Sequence, residues 1–283
     1  MTNKLSDKSY WNKIYKNPTL LDDNKPDSWP KRTLHYILRG ILKERWDRSY
    51  SDWFVWDVLF PTYLSDGLNG KILEIGSAPG HHVVRFAKMF GMEPFGIEYA
   101  EDGVIVNKET FVKNEFDPNN VIHADFFSDD ITDKYQSYFD VVMSRGFIEH
   151  FDDPKSVITR HVNLLKPGGR IIVSIPNIKG LNYIAFHFLN KHVIDIHNLN
   201  IMSLVAFKKI FDDIGLECQF CDYCGTFETG LYSSDGSSFS NFVKRLLWRI
   251  QIILNIVLFT IAGRRGLDCR WWSPYLFFIG KKL

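Results

Sequence analysis

The run Ile72-Leu-Glu-Ile-Gly-Ser-Ala-Pro-Gly80 constrains this chain more than any other segment. Its short apolar strand ends in a tight glycine turn and opens a helix, the arrangement by which open α/β sheets bind ligands at the carboxyl ends of their strands. Gly76 and Gly80 let the backbone approach a ligand closely, although phosphate-binding and dinucleotide-binding turns use the same device. Around this run, from 71 to about 175, β-branched stretches alternate with amphipathic ones, the pattern of consecutive βαβ units and a mostly parallel sheet. Strands are expected at 71–75, 93–98, 120–123, 139–144 and 170–175. Helices are expected at 80–90, 101–114 and 154–165, the last stopped by Lys166-Pro167-Gly168-Gly169. With 45% hydrophobic and 24% charged residues over 283 positions, the chain has the composition of one large globular core.

Residues 1–70 lack strand alternation and carry Trp11, Trp29, Trp46, Trp53 and Trp56. They read as a helical cap whose aromatics pack on the core, with the alternative that some line a substrate pocket. Residues 71–283 form the core. Beyond the fifth strand come a connection to about 200, a helix at 203–214, a strand at 216–224 and a closing strand in the segment SPYLFFIGKKL. An insertion at 225–273 separates the last two strands and is too long for a simple turn.

The residues after the glycine turn narrow the ligand. Glu98 ends the second strand 24 residues after Glu74, where a carboxylate can accept from both hydroxyls of a ribose. The turn reads E-x-G-x-A-P-G, and an acid at its start would repel a pyrophosphate but suits a cationic ligand bearing an amino acid. The plainer alternative for Glu74 is a solvated or capping carboxylate. A nicotinamide dehydrogenase is disfavoured by the same turn.

Four blocks, ILEIGSAPG, FGIEY, HADFF and FDVVMSRGFIEHFDDP with the following LLKPGGRIIVSIPN, occur in order between 71 and 177. In these blocks the chain resembles the class I S-adenosylmethionine-dependent methyltransferases, in particular the small-molecule group of the ubiquinone and menaquinone biosynthesis methyltransferases. The resemblance implies a Rossmann-like seven-stranded α/β sheet, mostly parallel, with an antiparallel last strand inserted between the fifth and sixth. It implies S-adenosyl-L-methionine as cofactor, with Gly76, Ser77 and Gly80 beneath the methionine part. Glu98 would hold the ribose, Tyr99 would pack beside the adenine, Asp125 would accept from its amine and Phe126 would cover a ring face. Ser144, Arg145 and Gly146 would face the sulfonium and the acceptor. Arg145 departs from the pattern, since a guanidinium beside a sulfonium is electrostatically awkward, and could turn toward an anionic substrate.

Methyl transfer displaces at an activated carbon, so alignment and exclusion of water are the main work and a base is helpful rather than obligatory. For a hydroxyl acceptor, His150 and His197 are the base candidates, against plainer readings as a helix-start residue and a polar loop residue. The acceptor is then a small molecule or glycan, lipid-linked acceptors included. Nucleic acid is not expected: the net charge is +1, and Ser144-Arg145-Gly146-Phe147 lacks the lysine and aspartate of the ribose methyltransferases, whose cofactor turn Ser77–Gly80 resembles. An RNA ribose methyltransferase and a non-catalytic cofactor-binding partner remain the rival readings.

Residues 242–262 read as one long apolar helix whose uninterrupted apolar stretch, broken by Arg249, Gln251 and Asn255, is too short to span a bilayer. It packs on the core or another subunit, docks on a membrane surface through flanking Lys244, Arg245, Arg249, Arg264, Arg265 and Arg270, or acts as a lid over an apolar substrate. The N-terminus lacks the apolar run of a signal peptide, so a cytoplasmic protein is expected, with peripheral attachment to the membrane's cytoplasmic face as the variant. Cys218, Cys221, Cys224 and Cys269 are expected as inert thiols, because residues three apart on a strand point to opposite faces; no metal is expected. The oligomeric state is not legible.

Overall fold

The computed structural model describes residues 3–16, 48–64, 67–264 and 266–283. Trp29, Trp46 and Arg265 lie outside them. Helix α1 spans Lys8–Lys16, and α2 runs from Tyr50 to Leu64 with a π-helical middle, Phe54–Leu59. The core then alternates β1 (Lys71–Ile75), α3 (His81–Phe90), β2 (Glu93–Glu98), α4 (Glu101–Lys113), β3 (Val121–His123), α5 (Asp129–Tyr135), β4 (Phe139–Arg145), α6 (Pro154–Leu164) and β5 (Leu165–Pro176). Helices α7 (Leu181–Leu189), α8 (Lys191–Asp195) and α9 (Leu204–Lys209) lead to β6 (Leu216–Cys224), and α10 (Ser238–Ile261) precedes β7 (Tyr275–Lys282).

The seven strands lie in the order β3-β2-β1-β4-β5-β7-β6. Strands β1 to β5 pair in parallel, and β7 runs antiparallel to both neighbours. The chain reverses its progression between β1 and β4, and a cleft opens there at the strands' carboxyl ends. Helices cover both faces, which is why the inner strands are continuous apolar runs. Along β1 the sides alternate. Leu73 and Ile75 join one buried cluster with Val157, Ile158 and Phe186, while Ile72 joins the other with Val83, Phe86 and Trp56.

Several boundaries differ from the sequence expectation for local reasons. Strand β5 begins at Leu165, and the Lys-Pro-Gly-Gly breaker is an irregularity within it: Phe139 pairs with Leu165 and Val141 with Arg170, so the extra residues loop out between. Helix α9 stops at Lys209, well short of 214, and Asp213 and Gly215 carry positive φ in the turn that follows. Helix α5 was not anticipated. The helical cap is present over its described part, and Trp56 is buried in it against α3 as packing.

The insertion holds α10, whose Gln251 and Asn255 point inward. Gln251 Oε1 accepts from Thr229 N at 2.9 Å, and Asn255 Oδ1 accepts from Tyr50 N at 3.1 Å. Among the described residues no helix is long and apolar enough to cross a membrane.

Candidate active site

The turn after β1 works as its glycines predict. Gly76 and Gly80 sit at φ +67° and +91°, and a Cβ on Gly76 would meet the Phe147 ring at 2.8 Å. The Gly76 and Ser77 amides both donate to Ile97 O, at 3.0 and 3.2 Å, which folds the turn against the end of β2. Glu74 departs from its expected place beside the ligand. It is buried behind the turn, and its carboxylate accepts from Val83 N at 3.0 Å, a cap on the first turn of α3. Burial pushes its carboxyl up to about 8, against the opposing pull of Arg145 and the Val83 amide. Ser77 is likewise buried, bonded to Ile97 O and Asn107, and Gly80 is the N-cap of α3. Ser144 is buried with its hydroxyl unpartnered. These four support the turn; none lines the cleft.

The cleft's lining includes Gly76, Glu98, Tyr99, Asp125, Phe126, Arg145, Gly146 and His150. Glu98 is held by the Tyr99 and Ala100 amides, which donate to one carboxylate oxygen at 2.9 and 2.8 Å. Burial raises its carboxyl above the usual range, with those amides opposing. A buried acid at the second strand's end, a ring beside it and a glycine that tolerates no Cβ fit an adenosyl ligand.

The N-terminal segment closes this cleft, a feature the sequence reading missed. Leu5 N donates to His150 O at 2.8 Å, and Lys4 pairs with Phe151 as an isolated antiparallel bridge. The Lys4 ammonium reaches Asp125 Oδ2 at 2.8 Å and stands 4.8 Å over the Tyr99 ring. Burial disfavours the Asp125 charge, but Lys4 and the Phe127 amide outweigh it and hold the carboxyl below its ordinary value.

A second cavity adjoins the first and shares Trp11, Arg145, Gly146 and His150 with it. Its walls bring the two predicted histidines together, their rings 4.5 Å apart. His150 Nδ1 faces Ile196 O at 3.0 Å, and His197 Nδ1 faces Val193 O at 2.6 Å. A carbonyl only accepts, so each ring carries its proton on Nδ1 and offers Nε2 as an acceptor. Burial lowers His150 to about 3 and His197 to about 4. Asn198 fixes the connection: its amide donates to Glu149 O at 2.7 Å and its side chain to Phe151 O at 3.1 Å.

Glu149 is a candidate residue that the sequence does not single out. It is fully buried on the same cavity, neither carboxylate oxygen has a hydrogen-bond partner among the described residues, and burial pushes its carboxyl up to about 8. Ligand atoms of Glu149, His150 and His197 lie within 4.8 Å of one another, a His-His-carboxylate set that could hold a metal ion. Arg145 lies between the start of α3 and the far strand β7. Its Nη1 donates to His82 Nδ1 at 3.0 Å, and its guanidinium stands 5.6 Å from the Phe277 ring centre. The cysteines lie along and beyond β6, where burial raises Cys221 to about 12.

A family model described as a methyltransferase domain matches residues 49–219. The chain belongs to the methyltransferase-domain family. Membership bears out the cofactor expected from the sequence, S-adenosylmethionine. This methyltransferase is 27% identical over 159 residues to a tRNA U34 carboxymethyltransferase of Alteromonas mediterranea, covering 54% of this chain and 44% of that protein. It is 28% identical over 114 residues to a ubiquinone biosynthesis O-methyltransferase of Idiomarina loihiensis, covering 40% of this chain and 45% of that one. The chain thus spans less than half the length of these curated relatives. Among solved structures, phosphoethanolamine N-methyltransferase 2 of Haemonchus contortus, in complex with S-adenosylmethionine, superposes with TM-score 0.53 at 16% identity, covering 98% of this chain and 60% of that one. The cyclase SpnF superposes with TM-score 0.55 at 11% identity, covering 99% and 96%. At such identities the likeness is one of fold.

Proposed function

We propose that this methyltransferase moves a methyl group from S-adenosylmethionine to a hydroxyl of a small molecule or glycan, lipid-linked acceptors included. The observation that carries the reading is the junction of the two cavities at Trp11, Arg145, Gly146 and His150, with a buried cluster of proton acceptors on the far side. In this reading Glu98 holds the ribose, Tyr99 and Phe126 flank the adenine, Asp125 accepts from its amine, and the Gly76 turn passes beneath the methionine part. Glu74, Ser77, Gly80 and Ser144 act by supporting that turn and the end of β4.

S-adenosylmethionine supplies, when bound, a methyl carbon already activated for displacement. The chain's residues do the rest. The α1 strap and the Lys4–Asp125 pair exclude water, and Gly146 leaves room where the cavities meet. His150 and His197 present Nε2 lone pairs to the acceptor hydroxyl, and the proton released as its oxygen gains the methyl passes into their cluster. Glu149, pushed by burial to about 8, already holds its own proton at neutral pH, so the released proton is taken at a ring Nε2 and leaves from there to solvent.

The RNA reading keeps one supporting observation, the tRNA-directed name of two relatives. Calorimetric titration with S-adenosylmethionine and, separately, NAD tests the cofactor, with micromolar binding of the first alone expected. Incubation with hydroxyl-bearing sugars and quinone precursors, read by mass spectrometry, tests the acceptor. Transfer to RNA, with binding that weakens steeply as salt rises, would replace the hydroxyl small-molecule reading.

A further inference from the structure

Helix α10 is apolar on both sides. The side it turns to the protein packs Val243, Leu247, Leu254 and Leu258 on the core and carries Ser240, Gln251 and Asn255 among them, all three buried and hydrogen-bonded. The side it turns to solvent carries Phe239, Phe242, Leu246, Ile250, Ile253, Val257 and Ile261, exposed by 39–71%. At about 100° per residue these seven fall within a sector of about 100°, an almost straight stripe along a helix about 36 Å long. The stripe repeats every 3.67 residues on average, close to the helix's own period of about 3.6, so it stays on one side along the whole helix.

Charge and continuity complete the surface. The helix contains Lys244, Arg245 and Arg249 and no acidic residue, and both arginines are exposed on the shoulder of the stripe. At its N-terminal end Ser240 Oγ donates to Leu189 O at 2.9 Å, which ties it to α7. Helix α7 presents Leu181, Ile184 and Phe188 outward, while its Phe186 lines the second cavity. The Leu181 amide in turn donates to Trp271 O, and Trp271 is exposed. Aromatic and basic residues beside an apolar stripe are the composition of interfacial helices.

We propose that the outward stripe of α10 is a docking surface for an anionic lipid bilayer, with the helix lying in the interface plane and α7 carrying the second cavity toward the lipid. Delivery of a lipid-carried acceptor rests on the proposed hydroxyl-methylating function; docking itself does not. The desolvated stripe supplies the apolar part of the affinity and Lys244, Arg245 and Arg249 the part that needs negative lipid.

The test is co-sedimentation of the full chain with vesicles of phosphatidylcholine alone and of phosphatidylcholine with phosphatidylglycerol. Binding is expected to the mixed vesicles and not to the neutral ones. It should weaken with salt and fall at least about tenfold in Ile253→Ser and in the double variant Arg245→Glu/Arg249→Glu. Both substitutions are at exposed positions, and calorimetry with S-adenosylmethionine verifies that each variant is folded. Absence of binding to the mixed vesicles, or variants that bind like the parent, would overturn the proposal. So would a dimer in vesicle-free buffer that Ile253→Ser disperses, since the stripe would then be covered by a second copy. If the chain docks but binds no S-adenosylmethionine, the catalytic reading fails and the docking stands.

Discussion

The Lys4 ammonium lies 2.8 Å from the Asp125 carboxylate, so the cleft that should hold an adenine is latched by an ion pair between the N-terminal strap and the end of the third strand. The pair is partly exposed, at 33% and 49%, which limits it to about 1 kcal/mol. Lys4→Ala should therefore leave the thermal midpoint nearly unchanged. It should also raise both the association and dissociation rates of S-adenosylmethionine a few-fold, because the strap opens more often and Asp125 is released to the ligand. Stopped-flow fluorescence from Trp11 measures both rates, and unaltered rates would show that the strap does not gate the cleft.

Glu98 is predicted to carry a large share of cofactor affinity. Its carboxylate is oriented by two amides before any ligand arrives, so little ordering opposes its bonds to a ribose. Loss of charge-assisted hydrogen bonds in Glu98→Ala should weaken binding about 10- to 100-fold. Calorimetry decides it, and equal affinity would remove Glu98 from the ribose.

Glu149 and the histidines should pull stability in opposite directions with pH. The Glu149 carboxyl is raised from 4.5 to about 8, so the folded state binds the extra proton, and stability falls as pH rises through that window, by at most about 1.4 kcal/mol per unit. Glu149→Gln should melt higher than the parent at pH 8, with the gap closing toward pH 5. Glu74 is raised similarly, so a residual slope should persist in the variant. His150 and His197 are lowered from 6.5 to about 3 and about 4, so their contribution is full above 6.5 and is lost as pH falls. Melting curves across pH 4–9 of the parent, Glu149→Gln and His150→Gln separate the two slopes.

His150→Ala should slow methyl transfer about 10²- to 10⁴-fold, the range for a group that handles the transferred proton, with cofactor affinity nearly kept. Affinity and turnover falling together would instead place His150 as a support for the strap, through Trp11, whose ring stands 5.3 Å from its own.

What the sequence disclosed and what it withheld follow from how far apart the interacting residues lie. Strands β1 and β2 are where the apolar runs put them, because a buried strand needs no distant partner to be recognised. Glu98, Asp125 and Arg145 stand on the cleft because each follows the carboxyl end of its own strand. Glu149 was legible only as the neighbour of His150; its meaning depends on His197, which arrives on a connection beyond β5. Lys4 meets Asp125 across 121 positions, and Asn255 meets Tyr50 across 205, so neither the latch nor the inward polar contact of α10 has a local pattern. Glu74 shows the converse. Its place at the start of the turn suggested a ligand, whereas the nearest unsatisfied donor, the Val83 amide, claims it.

Gly76 is the position where fold and site are least separable. Its φ of +67° strains any residue with a Cβ, and that Cβ would stand 2.8 Å from the Phe147 ring, too close without movement. Phe147 is packed edge-to-face on Phe126 at 5.9 Å and tilted on Phe151 at 5.1 Å, so moving it disturbs both a ring that lines the cleft and the residue that bridges to the strap. Gly76→Ala should cost about 1–3 kcal/mol in stability from backbone strain and overpacking. It should also cut cofactor affinity by more than the stability change alone explains, since Phe126 moves with Phe147. Pairing Gly76→Ala with Phe147→Leu isolates the two effects: the smaller side chain should recover part of the affinity by relieving the clash and none of the loss due to φ. If Phe147→Leu restores nothing, the clash is relaxed elsewhere, and the positive φ alone accounts for glycine at this position.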